Sequence, residues 1–216
     1  MRVLTLEEME ILEKDRPNWS KLGKAQREAI QYQLVTSANL LHNCNDTFYN
    51  LFNDTSRYLV LMGGGGSGKS VFASQKIIHR ARTEKGHKWL ITRKVANTLR
   101  DSVFAQLSET ISVLGYDNEF IIPKGRSSDL YISNKNTGNE LLFYGLDDVE
   151  KMKSIQGITD IWIEEPSEIT LQDFNQLNIR MRHRVDTYNQ MILTFNPILE
   201  TCFLKSLFFD KSRITI

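Results

Sequence analysis

Short apolar runs alternate with amphipathic stretches along the chain from about residue 56 onward. Each run is bounded by glycine or polar residues, a pattern typical of buried strands. The predicted strands are 58–62, 88–92, 130–133, 140–144, 160–163 and 191–195, with a further strand beginning at 213–216. The stretches between them predict helices over about 69–83, 98–114, 171–181 and 199–209, with Gly86 and Gly115 as C-terminal caps of the first two. This alternation predicts an α/β fold, in which a mostly parallel sheet carries helices on both faces.

Residues 1–45 have a different pattern and predict a helical N-terminal segment. Thr5 and Glu8 form a capping box that starts the first helix, and Pro17 ends it. A second helix is expected over about 24–41, where apolar residues recur at helical spacing. Neither helix carries recognisable chemistry, so this segment is expected to serve packing or the docking of a partner.

The composition is that of an ordinary globular protein. The chain has 216 residues, of which 41% are hydrophobic and 25% charged, enough for one large domain or one domain with a helical appendage. Lys and Arg total 27 against 26 Asp and Glu, so overall charge does not indicate a polyanion binder, although a local patch can bind phosphate. Cys44 and Cys202 suggest neither a disulfide framework nor a metal site, and no apolar run is long enough to span a bilayer.

A glycine-rich segment joins the first predicted strand to the helix that follows. Residues 63–70, GGGGSGKS, match the phosphate-loop pattern G-x-x-x-x-G-K-[ST] in full. Backbone amides of such a loop cradle the β-phosphate, the lysine reaches the β- and γ-phosphates, and the hydroxyl ligates Mg²⁺. The residues predicted to bind nucleotide are Gly63, Gly64, Gly65, Gly66, Ser67, Gly68, Lys69 and Ser70. The predicted fold is therefore a P-loop NTPase of the RecA/ASCE-like type, with ATP and Mg²⁺ as its cofactors.

Two carboxylates follow the strand at 160–163. Glu164 and Glu165 stand at the carboxyl end of a parallel strand, where ligands of such sheets bind. We predict that Glu164 holds Mg²⁺ together with Ser70, and that Glu165 is the general base that activates water. An ordinary acidic loop that also contains Glu168 is the alternative.

The strand at 191–195 also ends in polar residues. Asn196 or Thr194 could hydrogen-bond the γ-phosphate or the attacking water, and Asn196 is assigned as a catalytic candidate with Lys69 and Glu165. Asn196 precedes Pro197, so a simple strand-exit turn explains this sequence equally well.

Three motifs in this order, GGGGSGKS, IWIEEPSE and LTFNP, resemble the large terminase subunit of tailed bacteriophages, particularly the ATPase domain of prophage and Gram-positive-phage terminases. The segment 48–52, FYNLF, resembles the family's aromatic segment near the adenine, which implies nucleotide contacts for Phe48 and Tyr49. The blocks at 91–103 and 143–155 also match. The resemblance covers roughly residues 46–210.

The resemblance implies an ATP-driven motor that moves double-stranded DNA into a procapsid. It implies a homo-oligomeric ring, usually a pentamer, with the portal protein and the small terminase subunit as partners. The expected location is the host cytoplasm, outside the finished virion and without a membrane. The expected division is a helical segment at 1–45 and an ATPase domain at 46–216, with the family's C-terminal nuclease domain and its activity absent from this chain. The remaining alternatives are a helicase-like, nucleic-acid-stimulated ATPase and a nucleotide-dependent binding module with little turnover.

Two positions depart from the family pattern. Many relatives carry Arg where this chain has Gly65, and Arg-Gly where it has Gln156 and Gly157. A cation on the γ-phosphate accelerates comparable NTPases by several orders of magnitude. The candidates to replace it, in the same or a neighbouring subunit, are Arg93, Arg126, Lys153 and Arg180. Slow hydrolysis by a dilute monomer is therefore expected.

The densest basic run of the chain follows the predicted helix at 171–181. Residues 180–184 are Arg-Met-Arg-His-Arg. They could contact DNA phosphates, form a subunit interface or complement the dipole of the helix.

Overall fold

The apolar runs form one sheet in the computed structural model of this chain, which describes residues 2–123, 130–147, 155–197 and 202–210. Seven strands lie within these ranges: β1 Tyr58–Met62, β2 Lys88–Arg93, β3 Phe120–Ile121, β4 Tyr131–Asn134, β5 Glu140–Gly145, β6 Asp160–Glu164 and β7 Met191–Phe195. The predicted strand at 213–216 lies outside the described residues, as do residues 199–201 at the start of the last predicted helix.

The strand order is β1-β7-β6-β2-β5-β4-β3. The first five strands in this spatial order, β1-β7-β6-β2-β5, are parallel to one another, whereas β4 is antiparallel to both β5 and β3. The predicted mostly parallel sheet is thus confirmed. The short strand β3 was not predicted, because two residues are too few to give a periodic signal.

Within the described ranges, the α-helices are α1 Leu6–Lys14, α2 Lys24–His42, α3 Lys69–Thr83, α4 Ala105–Val113, α5 Leu171–Arg180 and α6 Phe203–Phe208. The predicted cap at Gly86 is wrong: α3 ends on Glu84 in an extended conformation, and Gly86 turns the chain two residues later with φ +80°. Gly115 follows α4 with φ +74°, as expected of a helix-ending glycine.

The predicted helix at 98–114 has a less regular start. A 3₁₀ turn covers Ala96–Thr98 and a π-helical turn covers Arg100–Phe104 before α4 begins. Close packing near the end of β5 accompanies this irregularity. A Cβ on Gly145, at the end of β5, would overlap the backbone of Ala96. The segment that follows β2 passes so close to β5 that only glycine fits at position 145.

The order of the strands decides which face each helix covers. The connection from β1 through α3 leads to β2, and the chain later reaches β5, so this part of the chain moves away from β1 across the sheet. The connection from β6 through α5 leads to β7 and moves toward β1, in the opposite direction. Since such crossovers are right-handed, α3 and α5 lie on opposite faces. On the α5 face, Phe174 and Leu177 pack with alternate residues of β6 and β7, among them Ile163 and Leu193, and all four are at most 3% exposed.

The chain divides into two compact units, Met1–Asp54 and Thr55–Ile216. The division predicted from the sequence lies between residues 45 and 46. The first unit has its own small core, in which Leu4, Trp19 and Leu34 are buried. The capping box at Thr5 and Glu8 is present, and Pro17 is the second residue of a 3₁₀ helix, Arg16–Lys21, that follows α1. A further 3₁₀ helix spans Asp46–Asn53.

Among the described residues, none of the helices is both long and apolar enough to cross a membrane. Cys44 and Cys202 are both free thiols, in agreement with the absence of a predicted disulfide.

Candidate active site

The glycine-rich loop leaves the carboxyl end of β1 and leads into α3. Its first amide, on Gly63, donates to the carbonyl of Phe195 at the end of β7, which joins the loop to the neighbouring strand (3.2 Å). Gly66 and Gly68 have φ of +74° and +86°, a region that residues with a side chain rarely adopt. A Cβ added to Gly64, Gly65 or Gly66 would meet no heavy atom within 4 Å, so there is open space beside the loop backbone at these three glycines.

Lys69 lies across this loop. Its ammonium donates to the carbonyls of Gly63 and Gly64 at 2.7 and 2.9 Å and to the Ser67 hydroxyl at 3.1 Å. The side chain is buried, and it also reaches Asn196 Oδ1 at 3.4 Å. The lysine is therefore held over the loop at the amino end of a 15-residue helix, where the helix dipole favours an anion. Ser70 follows it in the first turn of α3.

Glu164 ends β6 beside Arg93, which ends β2. Thr92 pairs with Ile163 in the parallel register, so Arg93 and Glu164 are the next residues along. Arg93 Nε lies 3.4 Å from Glu164 Oε2, and both side chains are mostly buried. Neither of these two atoms has a hydrogen-bond partner among the described residues. The contact is an ion pair by distance, and it leaves a buried carboxylate oxygen with unused acceptor capacity.

Burial raises the pKa of Glu164, and the neighbouring carboxylates of Glu165 and Glu168 raise it further. The charge of Arg93 and a hydrogen bond with Ser102 act in the opposite direction but do not cancel the rise. Ser102 was not assigned a role from the sequence. It lies in the π-helical turn at 100–104, where its hydroxyl donates to the Thr98 carbonyl at 2.7 Å, and a hydroxyl in the block LRDSV was the available signal.

Glu165 directly follows β6 in a left-handed conformation, with φ 54° and ψ 54°. Its amide donates to the carbonyl of Thr194 on β7 at 2.9 Å. Asn196 Nδ2 lies 3.4 Å from Glu165 Oε1, while Asn196 Oδ1 faces Lys69. The three residues assigned as catalytic from the sequence are therefore connected by side-chain hydrogen bonds, with Asn196 between Lys69 and Glu165.

Thr194 was the alternative to Asn196, and the structure gives it another role. Its side chain is buried within β7, and its hydroxyl accepts a hydrogen bond from Trp162 Nε1 at 3.0 Å. Thr194 therefore ties β7 to β6 inside the sheet, whereas Asn196 stands past the strand end at the site.

The strand order explains why these residues meet. The phosphate-loop strand β1 and the carboxylate strand β6 are separated by β7 alone. Asn196 follows β7, so its amide lies between the loop lysine on one side and Glu165 on the other.

Phe48 and Tyr49, the predicted adenine contacts, belong to the N-terminal unit. Phe48 is buried, and the Tyr49 hydroxyl donates to the Leu41 carbonyl at 3.0 Å. Their contact with a base remains a prediction.

The candidate cations are dispersed. Arg93 stands in the site beside Glu164. Arg180 ends α5 at the opposite edge of the sheet, because α5 starts after the carboxyl end of β6 and runs back toward the amino ends of the strands. Arg180 therefore cannot reach the phosphate loop of its own chain. Arg126 and Lys153 lie outside the described residues.

These groups fit a nucleoside triphosphate with Mg²⁺. The loop offers an open backbone and a buried lysine at a helix amino end, and Glu164 Oε2 is a buried oxygen without a hydrogen bond among the described residues. Hard oxygen donors of this kind, the Ser70 hydroxyl and the Glu164 carboxylate, are those that Mg²⁺ prefers. Loop and Lys69 would hold the phosphates, and Ser70 and Glu164 would hold the ion.

A family model described as phage terminase large subunit matches residues 55–215. A PBSX phage terminase large subunit from Bacillus subtilis (strain 168) is 38% identical over 148 residues, which is 68% of this chain and 33% of the relative. The terminase large subunit of Bacillus phage SPP1 is 36% identical over 118 residues, 53% of this chain and 27% of that protein. The chain thus spans about a third or less of the length of these curated relatives.

Solved structures agree on the fold. The large terminase of a thermophilic bacteriophage superposes with a TM-score of 0.61 at 17% identity, covering 82% of this chain and 42% of that one. A complex of the same phage protein with ATP-γ-S gives a TM-score of 0.52 at 16% identity, covering 74% and 37%. A mutant ATPase domain of the large terminase of a Thermus phage gives 0.55 at 14% identity, covering 77% and 71%.

Proposed function

This chain belongs to the phage terminase large subunit family, and from that premise we propose that it hydrolyses ATP with Mg²⁺ to drive double-stranded DNA into a procapsid. The observation that carries the proposal is the connected chain of Lys69, Asn196 and Glu165 at one edge of the sheet. A phosphate-binding lysine and a carboxylate joined through one amide form an arrangement suited to phosphoryl transfer to water.

Lys69, Asn196 and Glu165 each have a separate role in the proposed reaction. ATP is the substrate that supplies the γ-phosphoryl group, and Mg²⁺ held by Ser70 and Glu164 would neutralise charge on the phosphate oxygens. Lys69 holds the phosphates, and Glu165 takes a proton from the attacking water onto its carboxylate. The water oxygen bonds to the γ-phosphorus while the bond from that phosphorus to the β–γ bridging oxygen breaks, so that ADP and phosphate leave. Asn196 orients Glu165 through the 3.4 Å contact of its amide nitrogen with Oε1. Arg93 limits the movement of Glu164 through their ion pair, which places the carboxylate proposed to hold the metal.

The partners follow from family membership. We propose a homo-oligomeric ring on a portal protein, a pentamer by resemblance, with the small terminase subunit as a further partner, acting in the host cytoplasm. The γ-phosphate cation is then supplied in part by a neighbouring subunit, since Gly65 and Gln156 replace the usual arginines. Arg180, which lies at the far edge of its own sheet, is a candidate for that role.

The test is steady-state ATP hydrolysis per subunit, with Mg²⁺, as a function of protein concentration. Turnover should rise with concentration, because a neighbour completes the site. Glu165→Gln should reduce it by about 10²–10⁴-fold, the usual contribution of a general base. Glu168→Gln is the matched control: Glu168 is an exposed carboxylate three residues away in the same turn, and its loss should leave turnover unchanged.

The other outcomes point to other functions. Turnover independent of concentration would mean that one chain supplies the cation, with Arg93 the described candidate. Turnover stimulated equally by single-stranded nucleic acid would favour a helicase-like ATPase. Nucleotide binding with no more turnover than Glu165→Gln would overturn the hydrolase and favour a nucleotide-dependent binding module.

A further inference from the structure

The loop between α5 and β7, residues 181–190, lies at the sheet edge opposite to the phosphate loop. The His183 amide donates to the Ile158 carbonyl, just before β6, and the Gln190 amide donates to Asp160 Oδ1 at the start of that strand. The phosphate loop follows the carboxyl end of β1. A five-residue strand spans about 16 Å, so this loop and the candidate active site are separated by at least that distance.

The loop is fixed to the sheet rather than loosely attached. Met181 is fully buried in the core. The side-chain amide of Asn189 donates to the carbonyls of His183 (2.9 Å) and Thr159 (2.7 Å). The buried guanidinium of Arg80 donates to the carbonyl of Tyr188 at 2.7 Å and lies 3.8 Å from the centre of its ring. A surface held in this way loses little conformational entropy on binding.

Three basic side chains project from this fixed loop. Arg182, His183 and Arg184 are all exposed. Among the described residues, no carboxylate lies within ion-pair distance of Arg182 or Arg184, whereas Arg82 and Arg93 each have one. The loop contains one acidic residue, Asp186. The segment is therefore a small cationic surface on a protein whose overall charge is close to zero.

We propose that Arg182 and Arg184 contact the phosphate backbone of double-stranded DNA. Guanidinium groups bind phosphate oxygens in a paired geometry, which lysine does not match. No large hydrophobic side chain of residues 181–190 is exposed, and the exposed Ile179 lies before the loop, on α5, so Arg182 and Arg184 themselves present charge rather than apolar surface. The inference deepens the proposed function, on which the choice of DNA as the polyanion rests.

The experiment measures binding of the 216-residue chain to a labelled duplex of about 30 base pairs, without nucleotide, between about 50 and 200 mM salt. Arg182→Ala/Arg184→Ala should weaken binding at least tenfold at the lower salt. It should also reduce the slope of log affinity against log salt by about two, because each phosphate contact contributes about 0.9. Arg182→Lys/Arg184→Lys should preserve most of the slope, since it keeps the charge.

The matched control is Lys14→Ala/Arg27→Ala. It removes the same charge from two exposed residues of the N-terminal unit and should leave the slope unchanged. An equal loss in both variants, or no duplex binding by the parent chain, would overturn the proposal. So would reduced self-association of Arg182→Ala/Arg184→Ala with unchanged DNA affinity, which would identify a contact with a second copy. Since no nucleotide is present, these results do not depend on whether the chain hydrolyses ATP.

Discussion

Glu165 is the non-glycine residue with a left-handed backbone among those that the structure describes. That conformation costs an ordinary residue roughly 1–2 kcal/mol relative to right-handed alternatives. Two features hold Glu165 in this conformation. Its backbone N–H donates a hydrogen bond to the Thr194 carbonyl, and the following Pro166 disfavours the right-handed helical region for it. Strain retained at a proposed general base indicates that the direction of its carboxylate has been favoured over local stability.

We expect Glu165→Gly to be more stable than Glu165→Ala by about 1 kcal/mol, because glycine adopts positive φ without a steric penalty. Urea unfolding of both variants measures the difference, and neither should hydrolyse ATP. At Glu168, in a right-handed 3₁₀ turn, the order should reverse, with Ala more stable than Gly. The same order of stability at both positions would contradict a strained Glu165.

The residues of the site differ in how far the sequence determines them. Lys69 could be proposed as a phosphate-binding residue because its motif encodes a complete local geometry. The link from Lys69 through Asn196 to Glu165 joins residues that follow three different strands, β1, β7 and β6, and its existence depends on the register of β7 against its neighbours. The ion pair between Arg93 and Glu164 was not predictable, since it depends on the register of β2 against β6. The effect of Ser102 on the pKa of Glu164 was not predictable either, because Ser102 lies in a π-helical turn that gives no periodic signal.

At the scale of elements, α3 connects the candidate active site with the far edge of the sheet. Its last turn carries Arg80, which donates to Glu84 (3.0 Å) and to Asp160 at the start of β6 (2.9 Å). His87 Nδ1 lies 2.6 Å from Asp160 Oδ2, and Nε2 lies 2.8 Å from the Thr187 hydroxyl. Such a buried charged network is tolerated only when each of its polar groups has a hydrogen-bond partner. Here the network joins α3, β6 and the loop at residues 181–190, called the basic loop below.

This network predicts a stability optimum in weakly acidic solution. Burial would raise the pKa of Glu84, but hydrogen bonds from His87 and Arg80 outweigh it and lower that pKa to about 2. Glu84 therefore stabilises the fold above its ordinary value of 4.5, and this contribution is lost as pH falls toward 2.

His87 acts in the opposite direction. Burial would lower its pKa, but hydrogen bonds to Asp160 and Glu84 raise it above the ordinary value of 6.5. Its contribution is full below pH 6.5 and is lost as pH rises through the raised value. Urea midpoints measured from about pH 3 to 9 should therefore be highest between about 4.5 and 6.5. His87→Gln should reduce the decline above pH 6.5, while the decline that the raised pKa of Glu164 causes should remain. An unchanged decline in that variant would show that His87 does not contribute to it.

Elements that bury apolar residues on both faces were predicted almost to their ends, as β6 and β7 show, because a short apolar run between polar residues has few other solutions. The irregular segment that precedes α4, with its 3₁₀ and π-helical turns, was not predicted, and neither was the short strand β3. Both depend on packing against other parts of the sheet. The charged network was also not predictable, because Arg80 and Asp160 are 80 positions apart.

At the scale of the whole P-loop unit, the two edges of the sheet have different surfaces. The carboxyl edge carries the phosphate loop and the two glutamates, and the amino edge carries the basic loop. Because α3 runs from one edge to the other, nucleotide and DNA are proposed to meet opposite ends of the same elements. Fold class and the carboxyl edge followed from motifs, whereas the position of the basic loop required the topology.

This separation predicts that the two binding activities can be lost independently. Lys69→Ala removes the ammonium that bridges the phosphate loop, so it should weaken ATP binding by about 10²-fold or more. Its affinity for duplex DNA, and the salt dependence of that affinity, should stay at the parent level, because the basic loop lies at the other edge of the sheet. Arg182→Ala/Arg184→Ala should show the converse, with nucleotide affinity unchanged in the absence of DNA. Equilibrium binding of a fluorescent ATP analogue and of a labelled duplex, measured on both variants, checks both halves. A Lys69→Ala chain that stays folded by circular dichroism but binds neither ligand would show that both use the carboxyl edge, and the polarity argued from the strand order would then be wrong.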